Sequence, residues 1–228
     1  MFFFFDYCPY IAIIGDIKDS RHSENRRAVQ LRLKKVLNAI NGEYERELAS
    51  MFMITLGDEF QGLLKAGSAA VSIIDKIERE MYPVKIRFGI GVGKMTTDVD
   101  FDMPLGADGP AYYNARVMID ELKAAEQKKM ESKDNVKVSI QDYADASELI
   151  NTIFSLLTTI KETWTLRRVE IMNAYLNCGG TQKEAAQVLG INQSTVQKAL
   201  ASSNFYTYRR ALESVSKVFS GIMENKNV

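Results

Sequence analysis

Two short acidic stretches carry the side chains best suited to chemistry: Gly15-Asp16-Ile17-Lys18-Asp19-Ser20 and Leu56-Gly57-Asp58-Glu59-Phe60. Each follows an apolar run, so each sets a carboxylate where a strand would end. A magnesium ion takes one or two protein carboxylates and fills its other positions with phosphate oxygens and water. Two such ions can activate an attacking oxygen and stabilise a departing pyrophosphate. Asp16 and Asp58 are therefore the candidate ligands for Mg or Mn, with a nucleotide as the candidate substrate or signal. The same residues also suit plain structural duty, because Gly-Asp is common hairpin chemistry and Asp16 and Ser20 can cap. Other metal chemistry is poorly supplied. One histidine, His22, and two cysteines far apart, Cys8 and Cys178, make neither a zinc spacing nor a disulfide framework. Such cysteine usage points to a reducing, cytoplasmic setting.

A second set of residues suits nucleic acid. Residues 181–200, TQKEAAQVLGINQSTVQKAL, place Ala185, Leu189, Ile191, Val196 and Ala199 where two helices joined by a tight turn bury apolar groups, with Ala186 small at their crossing. Gly190 ends the first helix in a left-handed conformation that costs glycine little, and Asn192 or Gln193 caps the second. The pattern resembles the DNA-binding helix-turn-helix of many bacterial regulators. That resemblance implies that Gln193, Ser194, Thr195, Gln197 and Lys198 face the major groove, where Gln can bond adenine and Lys can meet guanine or phosphate. Helices over 167–176 and 206–219 would complete a small bundle, with Lys183, Arg209 and Arg210 as candidate phosphate contacts. A helical hairpin serving protein contacts is the alternative.

The acidic motifs are laid out in a way that resembles class III nucleotidyl cyclases and, more distantly, GGDEF diguanylate cyclases. Both carry a first metal aspartate after strand one and a second acidic motif in the following hairpin. Arg87-Phe88-Gly89-Ile90-Gly91-Val92-Gly93 is similar to the cyclases' Arg-x-Gly-Ile-x-x-Gly strand, and Asn114-Ala115-Arg116 to the helix of their transition-state arginine. The resemblance implies metal at Asp16 and Asp58 and a catalytic, charge-stabilising role for Arg116. Two positions depart from it: Ile54 stands where cyclases read the base with Lys or Glu, and Tyr112 where they carry Asn. Arg116 is also placed to pair with Asp120 one helical turn on.

The elements that must position these residues follow from periodicity. A continuous apolar run from Tyr10 to Ile14 reads as a central strand covered on both faces. Val29, Leu33, Val36, Leu37 and Ile40 recur at helical spacing between Ser23, a plausible N-cap, and Gly42. Residues 51–56 and 60–64 form a hairpin around Gly57-Asp58-Glu59. Ala70, Ile73, Ile74, Ile77 and Met81 make a second helix face. Val84, Ile86, Phe88 and Ile90 alternate with Lys85, Arg87 and Gly89, as in a half-buried strand. The order β-α-β-β-α-β predicts a ferredoxin-like α+β fold with the first strand and the hairpin side by side. An acidic loop then leads to a helix opened by Pro110 and facing inward through Ala115, Met118, Ile119 and Leu122. Val136 to Ile140 adds an edge strand, and Asp142 is placed to cap the next helix. There Ala146, Leu149, Ile153, Leu156 and Ile160 keep heptad spacing, which suits a dimer seam. Ile150 and Leu157 widen the stripe, which suits a connector packed on its own domains.

Composition sets the outer limits. A chain of 228 residues allows one large domain or an ordinary domain with a smaller one, and 46% hydrophobic with 25% charged residues fills a core and excludes wholesale disorder. Basic and acidic residues each number 29, so affinity for nucleic acid has to come from a local patch. From Lys161 onward nine basic residues meet five acidic ones, which makes the last third that patch. No stretch approaches the ~20 apolar residues of a membrane span. The apolar start is broken by Asp6 and Pro9 and is expected to lead into a buried strand rather than act as a signal peptide.

Taken together, GDIKDSR, ITLGDEFQGLL, RFGIGVG, DGPAYYNAR and the late helix-turn-helix resemble the SatD family of bacterial proteins over nearly the whole chain. The resemblance implies a cytoplasmic bacterial protein linked by family name to acid or stress response. The expected organisation is a nucleotidyl cyclase-like α/β domain over residues 1–142, a connector helix over 143–163 and a helix-turn-helix domain over 164–228. The expected function is a homodimeric DNA-binding transcription regulator whose first domain senses a nucleotide or mediates dimerisation. The alternative is a metal-dependent nucleotidyl cyclase-like enzyme acting on nucleoside triphosphates.

Overall fold

The apolar run at Tyr10 forms strand β1 (Tyr10–Ile17), buried at every residue after the first. A strand without a solvent face has to lie inside a sheet with both sides covered. In the computed structural model, which describes residues 3–18, 25–102, 106–128 and 134–223, β1 does so. It runs antiparallel between β3 (Glu59–Leu64) and β4 (Ile86–Gly93). β2 (Leu48–Leu56) flanks β3 on one edge, and β5 (Val136–Ile140) runs parallel to β4 on the other, giving the order β2-β3-β1-β4-β5. Helices α1 (Arg26–Glu43) and α2 (Ala70–Met81) complete the β-α-β-β-α-β order and share the larger core, on the face of Ile11, Ile13 and Ile17. Helix α3 (Pro110–Gln127) covers the other face, over Ala12, Ile14 and Leu63. This is the predicted ferredoxin-like arrangement with one strand added.

The predicted half-buried character of β4 is corrected by the structure. Only Arg87 in it is less than fully buried, because α3 lies directly on its glycines. A Cβ at Gly89 would stand 2.2 Å from the Ala115 carbonyl oxygen, and one at Gly91 only 2.0 Å from that of Ala111. What alternation presents as a polar face is a seat for a helix backbone. The capping role of Asp142 is corrected as well. That residue takes a left-handed conformation (φ 66°), and the next helix, α4 (Ala144–Lys161), starts after Tyr143 without a side-chain cap. Asp19, Ser20, His22 and the proposed cap Ser23 lie outside the described residues.

Both sheet edges are sealed by asparagine side chains. Asn41 of α1 donates to the Phe52 carbonyl at 2.9 Å and accepts from the Phe52 N–H at 2.7 Å. Asn151 of α4 does the same to Val138 at 2.9 and 2.7 Å, and Ser147 accepts from the Ile140 N–H. An open edge would offer these groups to another strand. This use of α4 decides which of its stripes turns inward: Ala146, Ile150, Phe154 and Leu157 are buried, whereas Leu149 and Leu156 stay exposed.

Beyond α4 come α5 (Leu166–Asn177), α6 (Gln182–Leu189), α7 (Gln193–Ser202) and α8 (Phe205–Phe219). Helices α6 and α7 meet at Gly190, left-handed at φ 63°, and bury Ala185 and Val196 as the helix-turn-helix pattern predicts; Ala186 and Leu200 are buried too, while the predicted Leu189, Ile191 and Ala199 are half-buried. Helix α8 ties this bundle to α2. Buried Tyr208 donates to Asp75 Oδ1 at 3.0 Å, and Arg79 holds Asp75 Oδ2 at 3.0 Å while donating to Asn173 at 2.7 Å. Trp164 stacks edge-on against Tyr208 and donates to the Ser203 carbonyl.

Burial, above all, raises the phenol pKa of Tyr7 and Tyr44 to about 12 and pushes up those of Tyr112 and Tyr208 as well. The unfolded chain gives up these protons first, near the ordinary value of 10.0. Their contribution to stability is thus fully present below that pH and falls as pH rises towards the native values. Phenolate absorbance and loss of helical circular dichroism are expected to appear together in an alkaline titration. Full phenolate absorbance on a still-helical protein would contradict this.

Candidate functional site

Side chains alternate along a strand, so Asp16 points to the face of Ala12 and Ile14, under α3. The ladder sets it opposite Glu59 on β3 and Arg87 on β4. Three charged residues thereby form one row across three neighbouring strands at the end of the sheet. Helix α3 adds Arg116, Lys123 and Glu126 above that row, and Lys18 closes it from the end of β1. Arg87 pairs with Asp16 and with Glu126, which also pairs with Lys18. Lys123 Nζ lies 3.0 Å from the other oxygen of Asp16. Arg116 donates to both oxygens of Glu59, at 2.6 and 2.7 Å.

The energetics follow from partial burial. Asp16 is 7% exposed, and its charge is tolerable there because two cations face it. Burial works against the charge on Arg87, yet Glu126 and Asp16 outweigh it and its pKa rises. Burial likewise raises Glu126, but hydrogen bonds from Arg87 and Lys18 bring it below the usual carboxylate value. Arg116 is raised first by its hydrogen bonds to Glu59.

The structure therefore brings Asp16 and the Asp58 hairpin together, with a different partner at the front. Asp58 sits in the turn, where its carbonyl accepts from the Ile17 N–H at 3.3 Å, while register gives the place beside Asp16 to Glu59. Arg116 pairs with Glu59 of the hairpin, and Asp120 adds only a weaker electrostatic pull. Sequence reasoning missed Glu59, Lys123 and Glu126 as members of this cluster. The available signals were Glu59 next to Asp58 and Lys123 two helical turns after Arg116. Tyr112 fills the apolar part of the same face, its hydroxyl buried without a partner.

A divalent ion does not fit these residues as they are placed. Both oxygens of Asp16 and both of Glu59 already face cationic side chains. A doubly charged ion about 4 Å from one such cation would meet a repulsion of roughly 8 kcal/mol at an effective dielectric constant of about 20. Among the described residues no three His, Cys, Asp or Glu side chains gather into a metal cage.

On the helix-turn-helix, Gln193, Ser194, Thr195, Gln197 and Lys198 are all exposed along the outer face of α7, and Lys183 is exposed on α6. Arg210 is exposed too. Arg209 is not a free phosphate contact, because it is half-buried with Nη1 3.6 Å from Asp75 Oδ2, attracted to α2 by that buried carboxylate. A groove of about 990 Å³ opens elsewhere, between α3, β5 and α4, with Asn114, Met118, Gln141 and Asn151 in its wall. None of the sequence-predicted site residues lines it. No helix among the described residues is long and apolar enough to cross a membrane.

A family model described as the SatD family matches residues 10–219. No curated protein matches the chain. Among solved structures, the guanylate cyclase domain of RhGC from Catenaria anguillulae, in complex with GTP, is 18% identical, covers 50% of this chain and 73% of its own, and has a TM-score of 0.38. A bacterial light-regulated adenylyl cyclase is 13% identical over 58% and 76%, with a TM-score of 0.40. A regulator of polyketide synthase expression from Bifidobacterium adolescentis is 13% identical over 93% and 80%, with a TM-score of 0.27.

Proposed function

This chain belongs to the SatD family, and from that premise we propose a DNA-binding regulatory protein whose N-terminal α+β domain senses a nucleotide or brings two copies together. The observation that carries the reading is the outer face of α7. Five outward positions, Gln193, Ser194, Thr195, Gln197 and Lys198, are exposed, uncharged but for one lysine, and backed by fully buried Val196 and Leu200. A surface kept only for solubility would carry more charge, whereas hydrogen-bonding side chains on a rigid helix suit base edges. Lys183 and Arg210 supply the sequence-independent phosphate contacts. A homodimer sets two such helices on two half-sites, and the exposed Leu149 and Leu156 of α4 supply apolar area for pairing. In this reading residues 164–228 bind DNA and 143–163 connect them to the sensing domain.

The test is an anisotropy titration against the protein's own upstream region and a random duplex at two salt concentrations. Gln197→Ala is expected to lower discrimination between the duplexes by ~1–3 kcal/mol per lost base contact. Arg210→Ala is expected to weaken binding to both alike and to flatten the salt dependence by about one contact. Wild-type protein that binds neither duplex at low salt would end the reading. The enzyme alternative requires Mg or Mn at Asp16 and Asp58, and the ion pairs of Asp16 and Glu59 count against it. It would gain the lead if incubation with either metal and nucleoside triphosphates released pyrophosphate.

A further inference from the structure

We propose that the carboxylates at the sheet end form a metal-free latch, in which Lys123 and Arg116 stand where divalent ions would otherwise be held and fasten α3 to β1 and β3. Two features of the cluster support this. Every carboxylate oxygen in the row is matched to a cationic side chain: Asp16 to Arg87 and Lys123, and Glu59 to Arg116 through both oxygens. The charges also close without an ion, since Lys18, Arg87, Arg116 and Lys123 face Asp16, Glu59 and Glu126. A cluster whose carboxylate oxygens are already matched by cations gains nothing from a further double positive charge.

The two replacing cations come from a single helix face, seven residues and two turns apart, so one element supplies both. They are also the most exposed members of the cluster, with 42% and 37% of their side chains accessible, against 10% for Asp16 and 15% for Glu59. What meets solvent above Asp16 and Glu59 is thus a guanidinium and an ammonium, with these two carboxylates behind them. The latch is independent of DNA binding, and a separate measurement tests it.

The experiment titrates the full chain with Mn²⁺ alone and follows the free-ion electron paramagnetic resonance signal. Wild-type protein is expected to leave that signal unchanged. Lys123→Met keeps the aliphatic stem and removes the charge, and it should gain a Mn²⁺ site at least tenfold tighter than anything in wild type. The added ion should raise the melting temperature of the variant and not that of wild type. Lys123→Arg should remain metal-free, and adding Asp16→Asn to Lys123→Met should abolish the gained site. Circular dichroism establishes that each variant is folded. If Lys123→Met does not fold, Lys123→Gln takes its place. Stoichiometric Mn²⁺ uptake by wild type that Asp16→Asn removes would overturn the proposal. So would a folded charge-removing variant that gains no site.

Discussion

Gly91→Ala is expected to cost about 3 kcal/mol or more of folding stability, at the upper end of what overpacking a core produces. The added methyl would lie 2.0 Å from the Ala111 carbonyl oxygen and 2.3 Å from the Ala115 nitrogen. Both are backbone atoms of α3, which cannot rotate aside as a flexible side chain would. Relief therefore requires the helix to lift off β4, and with it go Arg116 and Lys123, which reach the sheet only from that seat. Gly42→Ala is the control. It lies in α1 with nothing within 4 Å of the new atom, so it should be neutral or stabilise by up to ~1 kcal/mol through helix propensity alone. Urea unfolding midpoints of the two variants measure the contrast. A loss below about 1 kcal/mol at Gly91 would mean that α3 does not need close contact with β4.

Asp75→Ala should be comparably damaging, at about 3–5 kcal/mol, because it breaks a buried ion pair from one side. Asp75 is 4% exposed and faces Arg79, Tyr208 and, further off, Arg209. Its removal leaves the Arg79 guanidinium with only Asn173 and leaves the Tyr208 hydroxyl without its acceptor. Tyr208→Phe removes a single hydrogen bond to a charged group and should cost about 1.5–3 kcal/mol. Because α2 packs on the sheet and α8 on the C-terminal helices, Asp75→Ala is also expected to divide unfolding into two calorimetric transitions. The coupling energy from the Asp75/Tyr208 double-mutant cycle checks that the two residues act on one another. Additive losses would place the damage elsewhere.

Most of the regular structure was legible in the sequence because its signals act over a few residues. The apolar run at Tyr10, the helical spacing from Val29 to Ile40, the Gly57-Asp58 turn and the Gly190 stop each state a local preference, and the structure realises each of them. A local signal misleads or stays open where it has two physical causes. Glycine alternating with apolar residues in β4 matches both a wet face and a seat for a helix, and only the crossing of α3 distinguishes them. The stripe on α4 matches both a dimer seam and a core face. Asn151 and Ser147 accept hydrogen bonds from the N–H groups of the sheet edge, which turns Ile150 and Leu157 inward and Leu149 and Leu156 outward.

Signals local to the chain suffice for most helices and strands, for the central place of the first strand, and for the helix-turn-helix after the α+β part. Hydrophobic period, turn chemistry and left-handed glycine depend on neighbours in the chain, so a linear string carries them in full. The partners of the charges come from packing in three dimensions: Glu59 ahead of Asp120 for Arg116, Lys123 for Asp16, and Asp75 rather than phosphate for Arg209. An ion pair depends on distance in space. The partners of Arg116, Asp16 and Arg209 lie 57, 107 and 134 residues away along the chain. Strand register and the seating of α3 and α8 bring them within reach, and those contacts form only when the whole core packs.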